Sequence, residues 1–168
     1  MAITLTVENG NGLADANCYC DLSFLDAHAE LNGETLTQTD EQKKAAIYIS
    51  ANKFIDRLHD FKGAKVSNTQ AMKLYTDLVT YADASKDIMQ ANAEAAILHL
   101  KGFLFVDANA QNANGEILSL KTKLDTLEKE TTFSDGSRIR TKYDTSTIDA
   151  LLKPYLAVGS GGVYLRVV

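Results

Sequence analysis

Tryptophan is absent from the sequence and proline occurs once, as Pro154, so helices can run through most of the chain without meeting a residue that lacks a backbone donor. Cysteine is nearly absent too, with Cys18 and Cys20 one residue apart. Such neighbours cannot staple distant segments. Their spacing is also one residue short of a C-x-x-C redox pair, and no further cysteines exist to complete a zinc site. Two small, partly buried apolar side chains under reducing conditions are expected instead. No apolar run approaches the roughly 18 residues of a membrane span, and no basic stretch precedes an apolar h-region at the amino end. Membrane insertion and secretion are therefore not expected.

Catalytic signatures are missing as well. His28, His59 and His99 lie far apart, none with a second ligand at i+4, and no H-E-x-x-H or Cys2His2 spacing occurs. Asp15, Asn17 and Asp21 resemble part of a calcium loop but lack its sixth-position glycine and twelfth-position glutamate. Gly159, Ser160, Gly161 and Gly162 are not followed by Gly-Lys-Ser/Thr, and no G-x-S-x-G elbow is present. The expectation is a non-enzyme that uses no metal and no cofactor. Seventeen Lys and Arg against 22 Asp and Glu give a formal charge of -5, which favours solubility over general attraction to nucleic acid.

What is present is a globular composition, 45% hydrophobic and 23% charged over 168 residues, enough for one domain spanning 1–168 with its own core. Ile3, Leu5 and Val7 alternate with Thr4 and Thr6 as a short strand would, ending at Asn9-Gly10-Asn11-Gly12. Ser23 is a candidate cap for a helix carrying Phe24, Leu25 and Leu31, with Gly33 as its stop. Thr39 followed by Gln42 forms a capping box, after which Ile47, Ala51, Phe54, Ile55 and Leu58 mark one helical face. Ser67 with Gln70 repeats the box before Ala71, Leu74, Tyr75, Leu78, Val79 and Ala82. Ile88, Ala91, Ala95 and Leu98 define a further helix from about Ser85 to Leu100.

The fold class that follows is mainly α: an antiparallel helical bundle over about 23–100, with a short β-hairpin or extended excursion over about 117–142. A carboxyl-terminal helix and strand-like tail complete it over about 146–168. The excursion fits a helix as well as a strand; its threonines favour extended chain, with Ser134-Asp135-Gly136-Ser137 as a turn. Near Ser146 or Thr147 a last helix begins, with Ile148, Leu151, Leu152 and Tyr155 on its apolar side, and Pro154 must sit in a bend or open a new turn.

Two sets of candidate contacts emerge. Leu118, Leu120, Leu124, Leu127 and Phe133 in the excursion, and Val163, Tyr164, Leu165, Val167 and Val168 in the tail, are apolar enough to serve as assembly contacts. Phe133, Arg138, Arg140, Lys142 and Tyr143 are the alternative, a basic and aromatic cluster suited to nucleic acid.

The run Glu8-Asn9-Gly10-Asn11-Gly12-Leu13-Ala14-Asp15-Ala16-Asn17, with Tyr19 after it, resembles the opening signature of a tailed-phage protein family. Ile148 to Leu156 followed by Gly159-Ser160-Gly161 resembles its other end, and Phe54-Ile55-Asp56-Arg57 its second helix. The family carries the description DnaT-like single-stranded DNA-binding proteins, yet its members look like head-tail connector or head-completion proteins of the virion. The resemblance implies a structural adaptor that joins the portal protein to a tail or head-completion protein at the head-tail interface and is assembled in the host cytoplasm. It further implies a homo-oligomeric ring, of order twelve, through whose channel DNA passes without specific binding. The alternative is a single-stranded DNA-binding protein with a replication role.

Overall fold

The computed structural model describes residues 3–105, 119–124, 127–132 and 145–157. Leu118, Phe133, Arg138, Arg140, Lys142, Tyr143 and the tail Val163 to Val168 fall outside these. The chain divides into two compact units, Met1–Leu104 with Asp144–Val168, and Phe105–Tyr143.

The first unit is mainly helical. Helix α1 (Leu22–Leu31) is capped by Asp21, not by the expected Ser23. The Asp21 carboxylate accepts from Phe24 N at 2.8 Å and also accepts a hydrogen bond from the Ser23 hydroxyl at 2.8 Å, so the charged acceptor one residue outside the helix wins. Leu25 and Ala29 face the core, while Leu31 is 86% exposed.

Helix α2 (Asp40–Ile49) starts at the Thr39–Gln42 capping box that its sequence announces. It continues through a π-helical turn, Ser50–Ile55, into a last turn, Asp56–Leu58. Ile47, Ala51, Phe54 and Ile55 are buried as their spacing predicts, but Leu58 is 57% exposed. A π turn bonds i to i+5 and takes up one more residue per turn, which carries Leu58 off the apolar face and brings His59 inward instead.

The helix expected from Ser67 to Ala82 does not form. Among the described residues, 59–80 contain turns and two isolated antiparallel bridges, Phe61 with Leu156 and Lys65 with Thr76. The cause is a polar side chain that replaces a helix's own ladder. Gln70, buried, donates from Nε2 to Met72 O and Tyr75 O at 2.7 Å each and accepts from Val66 N at 2.9 Å. Thr76 Oγ1 likewise accepts from Leu78 N and Val79 N. Met72, Leu74, Tyr75 and Val79 reach the core from this irregular path, whereas Leu78 is 68% exposed.

Helix α3 (Tyr81–Leu100) starts earlier than its apolar stripe suggests, because Thr80 accepts from Asp83 N and caps it. Ala84, Ile88, Ala91, Ala93, Ala95, Ala96 and Ile97 are buried along it, and the small side chains let α1, α2 and α4 approach closely. Helix α4 (Ser146–Leu152) begins where expected and buries Ile148 and Leu152. Pro154 sits in the first turn of a 3-10 segment, Lys153–Tyr155, where its missing N–H costs nothing.

The amino-terminal strand is also corrected. Among the described residues Ile3, Leu5 and Val7 form no ladder, and a parallel bridge joins Val7 to Cys18. Asn17 takes the place of a partner strand, accepting from Thr6 N at 3.0 Å and donating to Thr4 O at 2.9 Å.

In the second unit, β1 (Ser119–Leu124) pairs antiparallel with β2 (Leu127–Thr132), which puts Lys121 opposite Glu130 and Lys123 opposite Glu128. Their connection falls between Leu124 and Leu127, ahead of the expected turn at Ser134 to Ser137, which lies outside the described residues.

Burial sets the expected cost of truncation. Replacing Ile47 or Phe54 by alanine should cost roughly 2 to 5 kcal/mol in denaturant unfolding. Leu78→Ala should stay within about 0.5 kcal/mol, as for an ordinary surface change; a loss at Leu78 equal to that at Ile47 would contradict the irregular path of 59–80.

Candidate nucleic-acid interface

Polar side chains inside the first unit fix the surface above them. Asn92 on α3, fully buried, accepts through Oδ1 from Tyr19 N at 3.0 Å and Cys20 N at 3.3 Å, and donates through Nδ2 to Ser50 Oγ at 2.6 Å and Ile47 O at 3.3 Å. Tyr19 is thereby placed with its hydroxyl donating to Asp56 and accepting from Leu74 N at 3.1 Å. Asp56 also accepts from Lys73 N at 2.8 Å, so the chain at Lys73 is anchored to the end of α2. Burial raises the Asp56 carboxyl above its usual range, against the lowering pull of the Tyr19 hydroxyl, the Lys73 amide and the Lys73 and Lys65 charges.

Glu8 closes a second internal knot. Its carboxylate, fully buried, accepts from Gly10 N at 2.9 Å, Gly12 N at 3.1 Å and Leu13 N at 3.0 Å. Gly10 has φ 85°, and a Cβ there would stand 2.6 Å from Tyr81 Cβ, so glycine is required on both counts. The opening signature therefore works as a folding device: a carboxylate held in a nest of its own backbone donors.

Beside this interior the described chain carries a basic run. Between Arg57 and Lys73 the chain carries Arg57, Lys62, Lys65 and Lys73 against one acid, Asp60. All four basic residues are exposed. Lys62 N bonds Tyr155 O at 3.0 Å, which brings the Lys153–Tyr155 turn alongside. Sequence reasoning passed over this run because its members were divided between the helical face ending at Leu58, the helix expected from Ser67 and the stretch between them. The spacing of four bases around one acid in an acidic chain was the available signal.

The basic and aromatic set named from sequence, Phe133, Arg138, Arg140, Lys142 and Tyr143, lies outside the described residues. So do the assembly candidates Leu118, Val163, Tyr164, Leu165, Val167 and Val168. Leu120, Leu124 and Leu127 occupy the paired strands, with Leu124 opposite Leu127 and Leu120 opposite Thr131.

Histidines and cysteines have structural partners. His28 Nε2 lies 2.8 Å from Glu94 Oε1, linking α1 to α3, and His59 Nδ1 lies 3.0 Å from Ile55 O. His99 is pushed below its ordinary pKa by burial and by the Lys53 charge. No cluster of three or more His, Cys, Asp or Glu suited to a metal occurs among the described residues. Cys18 and Cys20 are fully rather than partly buried and unbridged. Burial, then the Asp21 charge, raises the Cys18 thiol to about 12. Cys20 is raised too, by burial first and then by its neighbours Cys18 and Asp21.

A family model described as "Putative DnaT-like ssDNA binding protein" matches residues 3–168. No curated protein and no solved structure matches the chain. The expectation of a connector ring between portal and tail is overturned by this match, which covers both ends of the sequence and is described by single-strand binding rather than by virion assembly.

The buried thiols make a chemical prediction. With its pKa near 12, Cys18 is thiolate in roughly one molecule in ten thousand at pH 8, so neither cysteine should react with a thiol reagent in the native protein. Both should titrate on unfolding. Rapid native labelling of either would contradict the burial of the segment that Asn92 holds.

Proposed function

The chain belongs to the DnaT-like family, and on that premise we propose that it binds single-stranded DNA and has its place in DNA replication. The observation that carries this reading is the extent of the match, residues 3–168, which takes in both structural units. The distribution of charge supports it. Unit Phe105–Tyr143 holds six Lys and Arg with six Asp and Glu, so the whole formal charge of -5 falls on the other unit. The neutral unit also contains the run Phe133, Arg138, Arg140, Lys142 and Tyr143. Single strands are held by aromatic faces on which bases stack, with positive groups following the phosphates. That run supplies both kinds of group, and an acidic remainder lowers non-specific adhesion to duplex.

In this reading the protein is a binding module and not an enzyme, and it needs no cofactor. Its affinity is electrostatic in large part and salt-dependent. Three phosphate contacts would give a log-log salt slope of about -2 on a single strand. Oligothymidylate titrated at low salt should bind, and replacement of Arg138, Arg140 and Lys142 together by alanine should weaken binding at least about tenfold and flatten the slope. Absence of binding by the unaltered protein at low salt would overturn the reading.

A further inference from the structure

Building on single-strand binding, we propose that Arg57, Lys62, Lys65, Lys73 and Lys153 form a second contact for the strand, one that grips its phosphodiester backbone without reading its bases. The ionic partners of these residues set them apart from Lys43, Lys44 and Lys101. Lys43, Lys44 and Lys101 are neutralised by Asp26, Glu41 and Glu34 at 2.8, 3.0 and 2.5 Å. Lys62 Nζ instead donates to Pro154 O at 2.7 Å and Lys65 Nζ to Gln70 O at 2.8 Å. A carbonyl fixes an ammonium group without cancelling its charge, and leaves each lysine two further donors. Lys73 Nζ lies 4.0 Å from Asp60 Oδ1, a carboxylate whose side chain is 79% exposed, so water screens the pair heavily. Arg57 and Lys153 have no ion pair among the described residues.

Nearby acids are turned to other uses. Asp56 is buried against Tyr19 and Lys73 N, and Asp77 Oδ1 accepts from Ala64 N at 2.7 Å. Folding thus withdraws Asp56 from the surface, while Asp60 and Asp77 stay exposed with the basic residues. The cations are also held together: Lys65 pairs with Thr76, Thr76 Oγ1 bonds Lys62 O, Lys62 N bonds Tyr155 O, and Lys65 and Lys73 both act on Asp56. Between Lys65 and Lys73 the tip Ser67-Asn68-Thr69 presents small hydroxyl and amide groups of the kind that bond phosphate oxygens. Phe61 and Tyr75, the aromatic residues of 59–80, are turned into the core. The rim therefore offers charge without a stacking platform, which suits a backbone contact and leaves base stacking to another part of the chain.

The test uses full-length protein and a fluorescent oligothymidylate of about 30 nucleotides, titrated between about 50 and 200 mM salt. The variant Lys62→Gln/Lys65→Gln/Lys73→Gln should bind at least about tenfold more weakly at low salt, with a salt slope shallower by about 2. Its melting temperature should stay close to that of the unaltered chain, and Lys62→Arg/Lys65→Arg/Lys73→Arg should keep the original slope. Binding by the unaltered chain with an unchanged slope in the glutamine variant overturns the rim alone. Equal losses in the arginine and glutamine variants would show that the lysines act through the fold, and overturn it as well. Tighter binding of a duplex of the same length would overturn the commitment to a single strand. Failure of the unaltered protein to bind removes the rim together with single-strand binding itself.

Discussion

The side-chain amide of Asn92 is the interaction on which the first unit depends. One buried group bonds the amides of Tyr19 and Cys20, the hydroxyl of Ser50 and the carbonyl of Ile47. It thereby ties the amino-terminal segment and the start of the π turn to α3. Each buried polar group left without a partner costs about 1 to 3 kcal/mol, against a total stability of about 5 to 15 kcal/mol for a domain of ordinary size. An apolar residue at 92 would strand several at once. Packing alone could not compensate, because the side chains around Asn92 on α3 are largely alanine.

From this anchor the path to the surface is short. Asn92 sets Tyr19, the Tyr19 hydroxyl meets Asp56 and Leu74 N, and Asp56 takes Lys73 N. A buried carboxylate is tolerable here because four groups favour its charged form against the cost of burial. The Glu8 carboxylate is likewise partnered inside the fold, by three backbone donors. Acidic residues at Glu8 and Asp56 are thus spent inside the fold, and the formal charge of -5 overstates how negative the exterior is near Arg57 to Lys73.

Local signals were legible in the sequence, and long-range polar bonds were not. The Thr39–Gln42 box, the stripe from Ile47 to Ile55 and the start of α4 each depend on residues within one or two turns, so spacing reveals them. Ser67–Gln70 has the same letters as a box, but Gln70 turns inward to Met72 O and Tyr75 O, and nothing in a pattern of apolar residues foretells that. Leu58 was misplaced because a helical period of 3.6 was carried through a π turn. Asn92, Asp56 and Glu8 are polar letters that periodicity assigns to solvent. For the site, density of charge drew attention to Arg138, Arg140 and Lys142, while the wider spacing of Lys62, Lys65 and Lys73 becomes one surface only through the bonds that fold 59–80.

The central claim is that an acidic protein of this fold meets a single strand through its local basic surfaces. Hydrogen exchange of the full chain with and without saturating oligothymidylate locates such contacts directly. The account predicts slowed exchange in peptides covering 57–73 and 133–143, with the interior segments around Asn92 and Glu8 unchanged. Protection confined to the exposed side of α1, or no protection anywhere at low salt, would contradict it.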